Sequence, residues 1–209
     1  VGREDVHILG YGFPPDSAII QQGLAVLRQS RMDRALAMLD RLRAIGLPLD
    51  TDHLLEIAGH GSIGRPHVAR AMADAGYVEH PQEAFDRYIG NKGPAYVRRD
   101  TFSPEQAINL IHRADGIACL AHPGKLGDPV RFIRELAAAG LDALEAYHSD
   151  HTPKAATRLA HWARQYHLLI TGGTDSHGPH GPRVVLIGSV PVPDEVEGTL
   201  LAAIERVDS

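Results

Sequence analysis

Apolar positions recur at helical spacing through the first half of the chain. Between residues 17 and 45, leucines and isoleucines recur at roughly helical spacing with arginine and glutamine between them, which predicts one long helix. Gly46 and Pro48 end that pattern. Shorter helical patterns follow at 52–58, 65–75 and 81–89. No convincing buried strand interrupts residues 17–93, so this segment is predicted to be almost entirely helical.

The pattern changes after residue 94. Short, continuous apolar runs now alternate with amphipathic stretches, as in strands that helices cover on both faces. Predicted strands cover 116–122, 143–147 and 168–170, with a short strand or extended piece at 95–97 and a last strand at 184–187. Predicted helices cover 103–112, 129–139 and 152–166. This alternation predicts an α/β fold with a parallel sheet or barrel and right-handed crossovers.

A further apolar strand is predicted near the start, at 6–11. We therefore expect residues 1–16 and 94–209 to form an α/β body, and residues 17–93 to form a helical insertion domain within it.

Composition narrows the class of partner. With 209 residues, 44% of them apolar, the chain is long enough to bury a core. A net charge of -5 argues against a broad basic surface that grips duplex DNA, but it allows a small nucleotide neutralised by metal ions. The single cysteine, Cys119, excludes a disulfide framework, and neither a spanning apolar run nor a signal peptide is visible. We expect a cytoplasmic protein without a membrane partner.

Candidate metal ligands follow the predicted strand at 168–170. Asp175 and His177 are two residues apart, so on an extended segment their side chains point the same way. A carboxylate and an imidazole together suit a divalent metal. A hairpin turn with a surface Asp and His would produce the same pattern.

Two more histidines occupy comparable positions. His122 ends the apolar run that starts at Gly116, and the carboxyl ends of such strands carry the active sites of α/β sheets and barrels. A histidine that only closes the strand is the alternative. His7 lies in the first strand, where a single histidine is more often a satisfied core residue. Four candidate ligands at carboxyl ends of strands in one body nevertheless predict a shared metal site.

Four segments together resemble the PHP (polymerase and histidinol phosphatase) family, in the subgroup of phosphoesterases that act on 3',5'-bisphosphate nucleotides and short RNA ends. They are residues 6–11, 64–70, 120–124 and 172–178. The resemblance implies a distorted (β/α)7 barrel with a cluster of divalent metals, often manganese, with Fe, Zn or Mg as alternatives. It implies that the metal ligands include His7, His122, Asp175 and His177.

The resemblance also suggests substrate contacts. Arg65 and His67 lie in the Gly-Arg-Pro-His segment of the insertion, where they could face a substrate phosphate, although Arg65 could equally be an ordinary exposed arginine. His148 follows a predicted strand at a position where the family places no metal ligand, and we expect it to contact substrate.

One departure from the family pattern affects the expected fold. Family members begin with strands that carry His-x-His, Asp, Asp-His and Glu ligands, and none of these precedes His7 here. We therefore expect a partial barrel that lacks its N-terminal strands. A fragment of a longer chain is the favoured explanation; a second polypeptide that supplies the rest and a degenerate member are the alternatives.

The implied reaction is hydrolysis of nucleotide phosphate esters by metal-activated water. The expected substrate is a small 3',5'-bisphosphate nucleotide or a short 5'-phosphorylated RNA. A histidinol-phosphate-type phosphatase is an alternative, although such enzymes usually lack a long helical insertion. Two others are a non-catalytic remnant that acts as a binding module and a (β/α)8 metallohydrolase of the amidohydrolase type.

Overall fold

The computed structural model describes residues 5–59, 61–98, 102–178 and 185–207. The chain divides into two compact units. The first contains Val1–Gln21 and Phe102–Ser209, and the second contains Gln22–Thr101. The division predicted from the sequence, with a helical insertion domain at residues 17–93, stays a prediction.

Eight α-helices lie among the described residues. They are α1 (Ala18–Ala44), α2 (Thr51–Ala58), α3 (Arg65–Asp74), α4 (Pro81–Ala84), α5 (Pro104–His112), α6 (Pro129–Ala138), α7 (Pro153–Gln165) and α8 (Asp194–Val207). A π-helical turn, Phe85–Ile89, continues α4, and a 3-10 turn covers Pro123–Lys125. No helix in the described ranges combines the length and apolar character needed to cross a membrane.

The first unit contains a four-stranded sheet in the order β1-β2-β3-β4. The strands are β1 (Ile8–Tyr11), β2 (Ile117–Leu120), β3 (Ala143–His148) and β4 (Leu169–Gly173). β2, β3 and β4 are parallel and are joined through α6 and α7, so the mixed α/β architecture is confirmed. The distorted (β/α)7 barrel stays a prediction.

β1 corrects one expectation. It pairs antiparallel with β2, and Ile8 stands opposite Leu120. His7 therefore precedes the amino end of its strand, and its predicted place at a strand carboxyl end is wrong. The connection from β1 to β2 passes through the whole second unit rather than through one crossover helix. The expected right-handed crossover between parallel strands therefore does not apply to β1 and β2.

The core of the first unit lies between the sheet and its helices. β2 is buried along its whole length, and α6 buries Phe132, Ile133 and Leu136. The amphipathic pattern of α6 begins at Asp128, whose side chain accepts the backbone N–H of Arg131 and caps the helix. This packing holds the parallel strands whose ends carry the candidate site.

The predicted strand at 184–187 is wrong in its described part. Val185–Ile187 form no strand, and Val184 lies outside the described residues. The side chains of Leu186 and Ile187 are exposed, so no burial stabilises pairing there. Instead α8, which the sequence analysis did not predict, packs on β4, with Leu200 and Ile204 against the cluster that contains Cys119.

The second unit is helical, as its periodicity predicts. Its core includes Met38, Leu42, Leu54, Val68, Met72 and Ile89. The extended piece predicted at 95–97 is not a strand: the Ala95 N–H donates to Tyr88 O at 2.9 Å, which closes a turn. The predicted helix at 81–89 ends in π-helical geometry, where the Gly90 N–H donates to Phe85 O at 2.9 Å. A Cβ at Gly90 would overlap that carbonyl, so the turn requires glycine.

Phe132 provides a test of the core of the first unit. Replacing this fully buried side chain (Phe132→Ala) leaves a cavity and should lower the free energy of unfolding by about 3–5 kcal/mol. Urea unfolding followed by fluorescence of Trp162, the single tryptophan, measures this unit because Trp162 lies on α7. Arg134→Ala, at an exposed position of the same helix, should stay within about 0.5 kcal/mol of the parent protein. Equal effects of the two changes would contradict the assignment of the core.

Candidate metal centre

His122 lies just beyond the carboxyl end of β2, with its backbone in the left-handed region (φ +31°, ψ 53°). This conformation is unfavourable for a residue with a Cβ and needs support from its surroundings. The support comes from β3: the His122 N–H donates to Oε2 of Glu145 at 2.7 Å. The hydrogen bond is charge-assisted and buried, so it holds the turn firmly.

The side chains of His7 and His122 are in contact. Nδ1 of His7 lies 3.1 Å from Nε2 of His122, and the two rings are edge-to-face. The antiparallel pairing explains the meeting, because the amino end of β1 lies beside the carboxyl end of β2 and the Ala121 N–H donates to His7 O. Two nitrogens bound to one divalent cation stand about 3.0–3.4 Å apart, so the separation fits a shared ion.

Asp175 and His177 follow the end of β4, but not on an extended segment. Asp175 adopts φ +51°, so the prediction that the two side chains point the same way from an extended chain is wrong. The turn brings them together differently: Nδ1 of His177 donates to Asp175 O at 2.8 Å and lies 3.8 Å from Asp175 Oδ1. Both side chains remain accessible at the surface of the unit.

Lys125 was not among the predicted site residues. Its Nζ lies 2.8 Å from Asp150 Oδ2 and 3.5 Å from Asp175 Oδ2. Burial opposes the charge, but the hydrogen bond from Lys125 to Asp150 and the charges of Asp150 and Asp175 raise the pKa of the ammonium. The signal in the sequence was its position directly after His-Pro-Gly, at the strand end that His122 already marked.

His148 connects the two halves of the candidate site. Its ring lies 5.5 Å from the ring of His122, and its Nε2 lies 3.9 Å from Asp175 Oδ2. Nδ1 accepts the backbone N–H of Asp150 at 3.0 Å, so the proton of the neutral imidazole is on Nε2. That Nε2 is buried and has no hydrogen-bond partner among the described residues. A donor in this state is suited to an acceptor on a bound molecule.

Two buried groups that can ionise lie on β3 and β2. Burial raises the pKa of Glu145 on β3. The thiol of Cys119 on β2 lies 3.2 Å from Thr171 Oγ1, and burial raises the pKa of this thiol to about 12. The sequence predicts that Glu145 lies on a strand, but it does not predict that Glu145 accepts the backbone N–H of His122. That bond depends on the register of two strands that are separated along the chain.

Arg65 and His67 belong to the second unit. Nη1 of Arg65 donates to Asn91 Oδ1 at 3.0 Å, and its guanidinium lies over the rings of Phe85 and Tyr96. Nδ1 of His67 accepts the Gly64 N–H at 3.0 Å, which caps α3. Their predicted contacts with substrate stay predictions.

The candidate ligands lie in two pairs, His7 beside His122 and Asp175 beside His177. Among the described residues, no three His, Cys, Asp or Glu side chains form a group that could hold a metal ion. A site that combined imidazole with carboxylate would suit Mn, Fe or Zn. The four-ligand centre stays a prediction.

Comparisons with known proteins identify relatives across most of the chain. No family model matches it. The 5'-3' exoribonuclease Rnm of Escherichia coli is 30% identical over 200 residues, which cover 94% of this chain and 68% of the relative. A 3',5'-nucleoside bisphosphate phosphatase of Chromobacterium violaceum is 32% identical, over 85% of this chain and 64% of the relative. A crystal structure assigned as a metal-dependent phosphoesterase, from Bifidobacterium adolescentis, superposes with TM-score 0.72 at 30% identity and covers 95% of this chain and 71% of that one.

The buried imidazole of His148 predicts a pH dependence for the metal-free protein. Burial, with Lys125 nearby, lowers its pKa from 6.5 to about 4. The unfolded chain takes up this proton near 6.5 and the folded chain does not, so the contribution to stability falls as the pH drops from about 6.5 to about 4. Imidazole NMR signals should show a neutral Nε2–H tautomer above about pH 5.

Urea unfolding between pH 4 and pH 7 tests the same effect. His148→Gln should flatten the acid limb of the stability profile, because one buried group no longer resists protonation. His161→Gln, at an exposed position of α7, controls for the removal of one imidazole. Titration of His148 near 6.5 would contradict the described burial.

Proposed function

Because the chain belongs to the PHP family of metal-dependent phosphoesterases and is a phosphoric ester hydrolase, we propose that it acts on small nucleotides. The proposed substrates are nucleoside 3',5'-bisphosphates and short 5'-phosphorylated RNA. The observation that carries the proposal is the His7–His122 pair, whose nitrogens face each other at 3.1 Å. We propose further that the four-stranded sheet is part of a PHP-type barrel.

We propose that His7 and His122 hold one divalent cation and that Asp175 and His177 contribute to the same cluster. Manganese is the proposed metal, with Fe, Zn or Mg as alternatives. Such a cation, when bound, lowers the pKa of water and neutralises charge on the phosphoryl oxygens. The low pKa of His122, which burial and the charge of Lys125 depress, favours the neutral imidazole that metal binding requires.

Other residues of the first unit are proposed to handle the phosphate. The Nε2–H of His148 is a buried donor without a partner among the described residues, and a phosphoryl oxygen would satisfy it. The ammonium of Lys125 lies beside Asp150 and Asp175 and offsets part of their negative charge, which reduces the repulsion that an anionic ester would otherwise meet. Both groups lie next to Asp175, so they act on the same region as the proposed cluster.

For the second unit, we propose that Arg65 and His67 contact a substrate phosphate. The guanidinium of Arg65 is held by Asn91 and by aromatic rings, so little side-chain freedom is lost when it binds an anion.

The substrate proposal is tested by release of inorganic phosphate. With Mn²⁺ present, the protein should hydrolyse adenosine 3',5'-bisphosphate at least about tenfold more efficiently than histidinol phosphate, because only the former offers two phosphates. His122→Ala should lower kcat/KM at least about 100-fold because it removes a metal ligand. His161→Ala, on the exposed face of α7, should leave kcat/KM unchanged. Equal rates on both substrates would contradict the proposal.

Arg65→Ala tests the proposed phosphate contact of the second unit. The change should raise KM for the bisphosphate about tenfold with little effect on kcat, because it removes binding shared by substrate and transition state. Arg70→Ala, one turn further along α3 and paired with Asp74 at the surface, is the matched control. An unchanged KM in Arg65→Ala would remove this residue from the binding site.

A further inference from the structure

We propose that Glu145 is a positioning residue that sets the spacing between the two pairs of candidate metal ligands. The inference rests on the proposed function, because it concerns the same ligands. Glu145 lies on β3, between the strand that leads to His122 and the strand that leads to Asp175. Its side chain is 4% exposed, so the carboxylate is held within the sheet rather than solvated.

One carboxylate oxygen determines the conformation of His122. Oε2 accepts the His122 N–H at 2.7 Å while that residue is in the left-handed region. Without this acceptor the N–H would be buried and unpaired, and the backbone would relax towards a commoner conformation. The imidazole would then turn away from His7, because side-chain direction follows the backbone.

The other carboxylate oxygen lies against β4. A Cβ added at Gly173 would come within 2.8 Å of Oε1, so glycine leaves the space that the carboxylate fills. Gly173 ends β4 two residues before Asp175. Glu145 therefore contacts the ends of both neighbouring strands, and moving it would shift His122 relative to Asp175.

Asp142 provides a matched comparison at the other end of the sheet. Its Oδ2 accepts the Ala118 N–H at 2.8 Å and lies 2.7 Å from His112 Nε2. It makes the same kind of bond between β2 and the start of β3, but no candidate ligand is attached to it. Asp142→Ala therefore measures the effect of removing a carboxylate that contacts the backbone of β2 and the side chain of His112, with no candidate ligand attached.

The test is the affinity of the purified protein for Mn²⁺, measured by calorimetry. Glu145→Ala should weaken binding about 10- to 100-fold, as removal of a residue that orients a ligand does. Glu145→Gln should restore most of the affinity, because its amide oxygen can still accept the His122 N–H. Gly173→Ala should reproduce the weakening with the carboxylate still present, since the new methyl group displaces it.

A second readout does not need metal. In the metal-free protein, the amide proton of His122 should resonate far downfield because its hydrogen bond to a carboxylate is short, and it should move upfield in Glu145→Ala and Gly173→Ala. Asp142→Ala should leave both this resonance and the Mn²⁺ affinity unchanged. If Asp142→Ala weakens Mn²⁺ binding as much as Glu145→Ala, the effect is general destabilisation and the inference is overturned.

The outcomes separate this inference from the function on which it rests. If His122→Ala loses Mn²⁺ binding while Glu145→Ala and Gly173→Ala bind like the parent protein, the positioning role is overturned and the metal site stands. If the parent protein and His122→Ala bind Mn²⁺ equally, the metal site itself is overturned. Should Glu145→Ala fail to fold, Gly173→Ala alone decides the matter, because it removes no polar group.

Discussion

Parallel pairing of β2, β3 and β4 is the constraint on which the candidate site depends. Parallel strands end at the same edge of a sheet, so the segments that carry His122, His148 and Asp175 meet there although long stretches of chain separate them. The antiparallel β1 adds His7 to this edge from the opposite direction. Helix packing against the sheet, with α6 and α7 on the connections, holds the strands in register.

Burial tunes the chemistry of that edge. Low polarity around His122 and His148 lowers the pKa of both imidazoles, which keeps them uncharged near neutral pH. Lys125 adds to this effect and compensates two neighbouring carboxylates. The result is a set of neutral nitrogens and paired charges. Such a set suits a bound cation and a phosphate ester better than a row of exposed charged groups would.

Some elements of the structure agree with the predictions from the sequence and others do not, and the agreement and the differences have physical causes. Helices such as α6 and α7 were predictable because their apolar periodicity is local. The direction of β1 was not, because a strand of four residues carries no record of which way it pairs. α8 carries local signals, an amphipathic pattern that begins with acidic residues in its first turn, which the sequence-based prediction did not use. Lys125 became part of the site only through the turn after His122.

The sequence by itself determined the mixed α/β class, the helical character of the second unit and the family, because periodicity and short motifs are local properties. It also named His7, His122, Asp175 and His177 as candidates. Tertiary structure decided which side chains touch: the pairing of His7 with His122, the bond from Glu145 to the His122 backbone and the fit of that carboxylate against Gly173. These contacts depend on strand order and register, which arise from packing across the whole unit rather than from any one segment.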